Sequence, residues 1–478
     1  MAALALSKSD WLNLVYLLAA MLFIYGLKML SNVRTARRGN LTSAVGMLLA
    51  CAATFFSMSD GEAVSLVWIA IAMIIGTTAG VPLALKIPMT AMPQMVALFN
   101  GFGGIASLLV AAGDYALRVD KVDSGVVDWN WNALLATGLA ILIGGVTFTG
   151  SLVAFGKLQG LKITPGRPIQ FSGQKVLISL MVIGCLAMTA WLVAEPTSGW
   201  TNGVNAVLAL GLGILLVIGI GGADMPVVIS LLNSYSGLAA AMAGFILSNN
   251  ALIITGALVG ASGIILTRIM CKAMNRSLLN VLFGGVGAAS GVSAAHGSGA
   301  KGRVREYTAE DVSIQLDAAG LVIVVPGYGM AVAQAQHSVK ELADALEERG
   351  IAVRYAIHPV AGRMPGHMNV LLAEAGVDYE QLCDMETINP EFEQAGVALV
   401  IGANDVTNPA ARHDKDSPIY GMPILDVDKA RSVVVIKRSL NPGFAGIEND
   451  LYYNANCGML FGDAKKMVNG LVAALKEG

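Results

Sequence analysis

Four short stretches in the last third of the chain combine glycine, amide and cationic residues in a way that suits a bound phosphate ester. Residues 321–332 form an apolar run that breaks into Gly327-Tyr328-Gly329 and resumes as a helical Met330, Ala331 and Val332. A strand, a glycine turn and a helix let backbone N–H groups approach a pyrophosphate, although Val332 stands where a third glycine is often found. A second apolar run ends in His358-Pro359-Val360-Ala361-Gly362-Arg363-Met364-Pro365-Gly366, without the acidic residue that would hold a ribose 2′-hydroxyl. A third ends in Gly402-Ala403-Asn404-Asp405, and a fourth in Lys437-Arg438-Ser439. Two adjacent cations and a hydroxyl suit a phosphate monoester. A lone Lys-Arg pair is ordinarily solvated surface, but four such strand ends converging on one crevice favour a phosphorylated dinucleotide, NADP rather than NAD.

The elements that must position these groups alternate. Apolar runs at 321–325, 351–357, 397–401, 423–425 and 433–436 read as strands; helical patterns fill 330–349, 367–375 and the stretch from Ala464 onward. Alternation of this kind implies an α/β Rossmann-like domain with a mostly parallel sheet and its ligand at the carboxyl ends of the strands.

Upstream, the composition changes. Mean hydropathy is +0.65 and 55% of residues are hydrophobic, values that belong to a membrane protein. Of the 64 Asp, Glu, Lys and Arg residues, 24 lie in positions 1–300 and 40 in the remaining 178. Nine apolar spans follow one another, at 11–30, 41–58, 64–85, 92–112, 131–154, 176–194, 204–220, 226–247 and 251–270, each near the length of about 20 residues that a helix needs to cross a bilayer. The expected organisation is therefore a multi-pass α-helical membrane domain at 1–275, a Gly, Ala and Ser-rich hinge at 276–305, and a soluble domain at 306–478. No small-residue cleavage pattern follows the first span, so it is expected to be retained. Lys and Arg between the spans divide 12 against 3 on alternate sides, Lys157 among the 12, which puts the C-terminal domain in the cytoplasm and the N-terminus outside.

Several function classes are excluded. A net charge of −2 with no basic cluster among aromatics gives no basis for nucleic-acid binding. Five scattered cysteines, without a CxxC spacing or a His cluster, signal neither a metal site nor a disulfide framework. In or beside the spans, the polar groups that stand out are Asn100, Asp224 and the run Asn233-Ser234-Tyr235-Ser236. Asp224, followed by Met225-Pro226, reads equally as a helix N-cap and as a proton-handling group. Asn233 suits either an interhelical hydrogen bond or a water wire, and Gly256, Gly260, Ser262 and Gly263 suit close helix packing more than a gate, although a moving helix also needs such packing.

These segments carry a resemblance over the whole chain. Gly221-Gly222-Ala223-Asp224-Met225-Pro226, Asn233 to Gly237, Met270-Cys271-Lys272-Ala273-Met274-Asn275-Arg276-Ser277 and the four strand ends resemble the β-subunit family of proton-translocating NAD(P) transhydrogenases. The resemblance implies reversible hydride transfer between NADH, on a separate α subunit, and NADP⁺ on this chain, driven by inward proton movement. It implies a bacterial inner-membrane enzyme built as a dimer of αβ units, with no metal. Carried over by motif, NADP(H) would be held by residues 327–332, 360–365 and 402–406 (to Val406), and by 437–444, where Lys437 and Arg438 take the 2′-phosphate and Leu440, Asn441, Pro442, Gly443 and Phe444 follow. Gly421 and Met422, with Asp405, would lie near the docking face, and Asp463-Ala464 would close over the nucleotide. Asp224, Asn233, Asn100, Ser262 and Arg276 would serve the proton path and its coupling.

One departure matters. Several members of this family carry a histidine where this chain has Asn100, and an amide cannot titrate in the physiological range. The titrating group then comes from the α subunit's helices, favoured by the absence of any histidine before His296, or is Asp224. Two other readings fit the same segments: a secondary transporter whose soluble domain senses NADPH, and a membrane anchor that presents an NADP domain to a dehydrogenase.

Overall fold

The computed structural model describes residues 7–30, 33–58, 63–120, 130–164, 168–283, 304–364, 366–417, 419–443 and 446–477. Among these, nine helices are long and apolar enough to cross a membrane: α1 (Lys8–Leu30), α2 (Val33–Met58), α3 (Ala63–Lys86), α4 (Met92–Val119), α5 (Trp131–Gln159), α6 (Gln174–Ala194), α7 (Trp200–Ile218), α8 (Met225–Ile246) and α9 (Asn250–Ala273). The chain is a membrane protein. Two compact units compose it, one of Met1–Pro165, Ile169–Ile218 and Leu231–Ile265, the other of Gly166–Pro168, Gly219–Ser230 and Leu266–Gly478.

Glycine sets the helix spacing in the first unit. A Cβ added at Gly104 of α4 would lie 2.7 Å from the Gly144 carbonyl oxygen of α5, and one at Gly144 would lie 2.5 Å from that of Gly104. Lipid offers no hydrophobic drive between helices, so close backbone approach supplies the dispersion contact instead. The same device joins α9 to α8, where a Cβ at Gly256 or Gly263 would meet Ala241 or Ser234, and Ser234 Oγ donates to the Gly260 carbonyl at 2.7 Å. Helix α5 outlasts its apolar run by one turn. Lys157, counted above as a loop cation, is therefore inside α5, 3% exposed, and donates to the Ile218 carbonyl at the end of α7 at 2.8 Å.

In the second unit, short helices α10 (Leu278–Phe283) and α11 (Ala309–Asp317) precede an alternating series: β1 (Leu321–Pro326), α12 (Tyr328–Val332), α13 (Gln336–Glu348), β2 (Ala352–Ile357), α14 (His367–Glu374), β3 (Leu382–Asp384), α15 (Met385–Ile388), β4 (Val397–Ile401), α16 (Ala410–His413), β5 (Ser432–Lys437), β6 (Cys457–Phe461) and α17 (Ala464–Glu477). The six strands form one all-parallel sheet in the order β3-β2-β1-β4-β5-β6, with Val324 opposite Tyr355 and Leu399, and Val400 opposite Val435. This is the Rossmann-like sheet expected. Its central strands are apolar throughout because both faces are covered. Ile323, Val325, Val400 and Val435 pack on Phe392, Leu425, Leu451 and Tyr452, while α13 and α17 cover the other face with Val339, Leu342, Leu346, Val468 and Leu471. Each such side chain contributes about 1.5–3 kcal/mol through burial.

Three local expectations are corrected. Residues 423–425 form no strand: Leu425 and Val427 are buried as side chains packed on the sheet, and the Leu425 N–H goes to the Val406 carbonyl. The helix expected over 330–349 is two helices, because Gln334 takes φ 49° and ends α12, with Ala335 N–H bonded to Met330 O and Gln334 N–H to Ala331 O. Strands β3 and β6 were not anticipated.

Candidate functional site

Between β1 and β4 the strand order reverses, so the loops leaving these two strands part company and open a crevice at their carboxyl ends. What holds its floor is an interlock of glycines. Gly327 N–H donates to Ile401 O and Gly329 N–H to Gly402 O, both at 2.9 Å, and Gly402 N–H donates to Ile436 O at 3.1 Å. Gly402 has φ 66°, a left-handed conformation that glycine adopts without strain, and a Cβ at Gly329 would fall 2.6 Å from Gly402 Cα. The two glycines of the first turn therefore serve backbone-to-backbone contact with the β4 turn, and their amides are engaged there.

A cavity of about 470 Å³ opens above this floor. Gly327, Tyr328 and Gly329 line it from β1, Val360, Ala361 and Gly362 from β2, Gly402 to Val406 from β4, and Lys437, Pro442 and Gly443 from β5. Met422 also faces it, as do Asp224 and Arg276. Met330 and Ala331 lie buried beneath the turn, and Val332 is exposed. Met364 is buried; Gly421, Arg438, Leu440 and Asn441 are exposed, Ser439 and Asp463 half-buried, and Ala464 buried at the start of α17. Pro365 and Phe444 lie outside the described residues.

Asn404 is the centre of the polar wall. Its Oδ1 accepts from Lys437 Nζ at 3.1 Å and from Tyr452 Oη at 2.5 Å, its Nδ2 donates to Asp405 Oδ1 at 2.9 Å, and its carbonyl accepts from Asn449 Nδ2 at 2.9 Å. Lys437 also donates to the Asn441 carbonyl at 2.5 Å and sits 5.2 Å from the centroid of the Tyr452 ring. Burial lowers the Lys437 ammonium from its ordinary value, and Asp405 partly restores it. Both of its hydrogen bonds go to neutral oxygens. Arg438 is arranged differently: it pairs with Asp463 Oδ2 at 2.9 Å on the exposed rim. Burial would raise the Asp463 carboxyl, but Arg438 and the amides of Lys465 and Lys466 outweigh it and hold it below its usual range.

Two buried histidines shape the loop after β2. His358 is tied through Nε2 to the Pro423 carbonyl at 2.9 Å, and its Nδ1 accepts from Val360 N–H at 3.3 Å. His367 Nδ1 accepts the Arg363 N–H at 3.1 Å, while Gly362, at φ 107°, packs on the His367 ring. Arg363 thereby lies over the Tyr328 ring, 4.4 Å from its centroid. Burial pushes both imidazoles down to about 4, with Arg363 adding to the effect at His367.

Asp224 closes a 3₁₀ turn (Gly222–Asp224), and both its oxygens accept from Arg276 Nη1, at 3.0 and 2.8 Å. Burial raises the Asp224 carboxyl, and Arg276 offsets part of the rise. Of the membrane candidates, Asn100 is buried in α4 and Asn233 half-buried in α8. These helices meet at Gly103 and Ser236, each three residues further along. Ser262 is exposed and its hydroxyl turns back to the Val259 carbonyl at 3.0 Å. Tyr452 and Asn449 were missed as contributors to the site, since no motif marks them and only the fold brings them to Asn404.

Comparison with known proteins gives the family. A family model described as NAD(P) transhydrogenase beta subunit matches residues 12–474. Two proteins named NAD(P) transhydrogenase subunit beta, both from Rhodospirillum rubrum, are each 51% identical over 464 residues, covering 96% of this chain and 98% of theirs. With a family model matched over residues 12–474 and relatives 51% identical over nearly the whole of both chains, the chain belongs to the NAD(P) transhydrogenase beta-subunit family.

Proposed function

We propose that this chain binds NADP(H) in the crevice between β1 and β4 and, with an NAD(H)-binding α subunit, couples reversible hydride transfer from NADH to NADP⁺ to inward proton movement. The observation that carries the reading is Lys437, whose ammonium faces a switch-point crevice and, among the described residues, hydrogen-bonds to the neutral oxygens of Asn404 and Asn441. That donor set fits a phosphate monoester. Residues 327–332, 360–365, 402–406 and 437–444 would hold the nucleotide, with Lys437 and Arg438 toward the 2′-phosphate and Asp463-Ala464 at the rim. When bound, NADP⁺ supplies the nicotinamide carbon that receives hydride.

The chain's own contribution is positional. Hydride transfer needs the reacting carbons about 3–3.5 Å apart and no nucleophilic side chain, so the loops that orient the nucleotide do the chemical work. The glycine interlock keeps the crevice floor rigid, and the Asn404 network keeps the Lys437 ammonium inside it. Asp224 and Arg276, in the wall of the same cavity, are suited to transmit a change of charge to the bound nucleotide. Such linkage is reciprocal: proton binding that alters NADP(H) affinity must itself be altered by NADP(H). Asn100 cannot supply the titrating group, which falls to the partner's helices or to Asp224.

In this reading residues 1–275 conduct protons and 306–478 carry the nucleotide on the cytoplasmic side of an inner membrane, with the N-terminus outside and αβ units paired; of the hinge assigned to 276–305, residues 284–303 lie outside the described residues. Equilibrium binding of NADPH and NADH to the αβ enzyme tests the assignment. Lys437→Met should weaken NADPH binding and leave NADH binding unchanged; NADPH affinity that survives this change overturns it.

A further inference from the structure

Tyr452 belongs to no nucleotide-binding motif, yet it touches both polar groups of the crevice wall. It lies in a 3₁₀ turn (Asp450–Tyr453) between β5 and β6 and is 3% exposed. Its hydroxyl donates to Asn404 Oδ1 at 2.5 Å, and its ring lies 5.2 Å beneath the Lys437 ammonium. Asn449, at the head of the same turn, donates to the Asn404 carbonyl at 2.9 Å and to Thr407 Oγ1 at 3.3 Å. One turn thus grips Asn404 by its side chain and its main chain together.

The consequence is directional. A carboxamide can point its oxygen or its NH₂ either way, and the choice is made by its partners. Here two donors, Tyr452 Oη and Lys437 Nζ, converge on Oδ1, so the oxygen is turned inward and the NH₂ outward, toward Asp405 and the Gly443 backbone at the cavity wall. We infer that Tyr452 is a positioning residue for nucleotide binding: it fixes the orientation of the Asn404 amide and the place of Lys437, and so sets the donor pattern that meets the phosphorylated nucleotide. This inference rests on the crevice being the NADP(H) site.

The test is a double-mutant cycle on the full αβ enzyme, with NADPH as the probe. Tyr452→Phe keeps the ring under Lys437 and removes only the hydroxyl. It should raise the NADPH dissociation constant roughly two- to tenfold, the value of one hydrogen bond, and raise KM for NADP⁺ without changing kcat or KM for NADH. In an Asn404→Ala background the same change should have no further effect, a non-additivity that a purely structural role for Tyr452 would not produce. An unchanged dissociation constant in Tyr452→Phe, or an equal loss in both backgrounds, overturns the inference. Failure of the unmodified enzyme to bind NADPH overturns instead the reading of the crevice on which it rests. Tyr452→Leu, which also removes the ring, should weaken binding beyond Tyr452→Phe; if it does not fold, the phenylalanine cycle still decides.

Discussion

Replacing Gly329 by alanine probes the interlock directly. Gly329 has no positive φ, so alanine meets no intrinsic backbone penalty there, and any loss must come from space. The new Cβ would sit 2.6 Å from Gly402 Cα and 3.2 Å from its carbonyl oxygen, both backbone atoms that cannot swing away. The two turns must separate by most of an ångström. Overpacking of this kind costs about 1–3 kcal/mol, and weakening of the 2.9 Å bond from Gly329 N–H to Gly402 O adds about 1 kcal/mol. The total, about 2–4 kcal/mol, corresponds to a fall of roughly 5–15 °C in the melting of a unit of this size. Gly320→Ala is the control, since its Cβ meets nothing within 4 Å. Melting of the αβ enzyme should drop for Gly329→Ala and stay within a degree or two for Gly320→Ala, with NADPH binding lost in the first only. A Gly329→Ala enzyme that melts and binds like the unmodified one refutes the argument that the turns are locked by close contact.

Lys437→Met should weaken NADPH binding roughly ten- to hundredfold, the range for a hydrogen bond to a charged group, measured by NADPH fluorescence titration. His358 and His367 titrate near 4 in the folded chain against about 6.5 unfolded, so between these values the unfolded chain binds more protons. Their contribution is complete above about pH 6.5 and is lost as pH falls toward 4; melting should decline over that window, and His367→Asn, which keeps an acceptor for the Arg363 N–H, should flatten the slope. Arg276→Gln leaves the buried Asp224 carboxylate without its partner and should impair proton-coupled turnover in vesicles more than Asp224→Asn combined with Arg276→Gln does. Equal impairment by the single and double changes would count against the pair acting as a unit.

The parts of the fold that were legible are those where one force dominates. β1, β4 and β5 stood out because strands buried on both faces admit almost only apolar residues, and the nine spans because lipid does the same over longer runs. β3 has three residues and β6 reads Cys-Gly-Met-Leu-Phe, too short and too mixed for that signal at the sheet edges. The break after α12 was hidden because Gln334 occupies the left-handed position where glycine would have announced a helix end. In the candidate site, the glycine, amide and lysine residues that line the cavity could be located in the sequence because they follow the apolar runs of β1, β2, β4 and β5. Tyr452 and Asn449 could not, since their contacts to Asn404 span 48 and 45 residues of sequence and nothing local encodes them.

In the proposed function, NADP(H) binding on this chain and proton movement through the membrane are one linked process. In sealed vesicles containing the αβ enzyme, hydride transfer from NADH to NADP⁺ can be followed while a proton gradient is imposed and then collapsed with an uncoupler. The rate should rise with the gradient directed toward the nucleotide domain and fall when it collapses. A rate indifferent to the gradient, in enzyme that binds NADPH normally, would contradict that linkage.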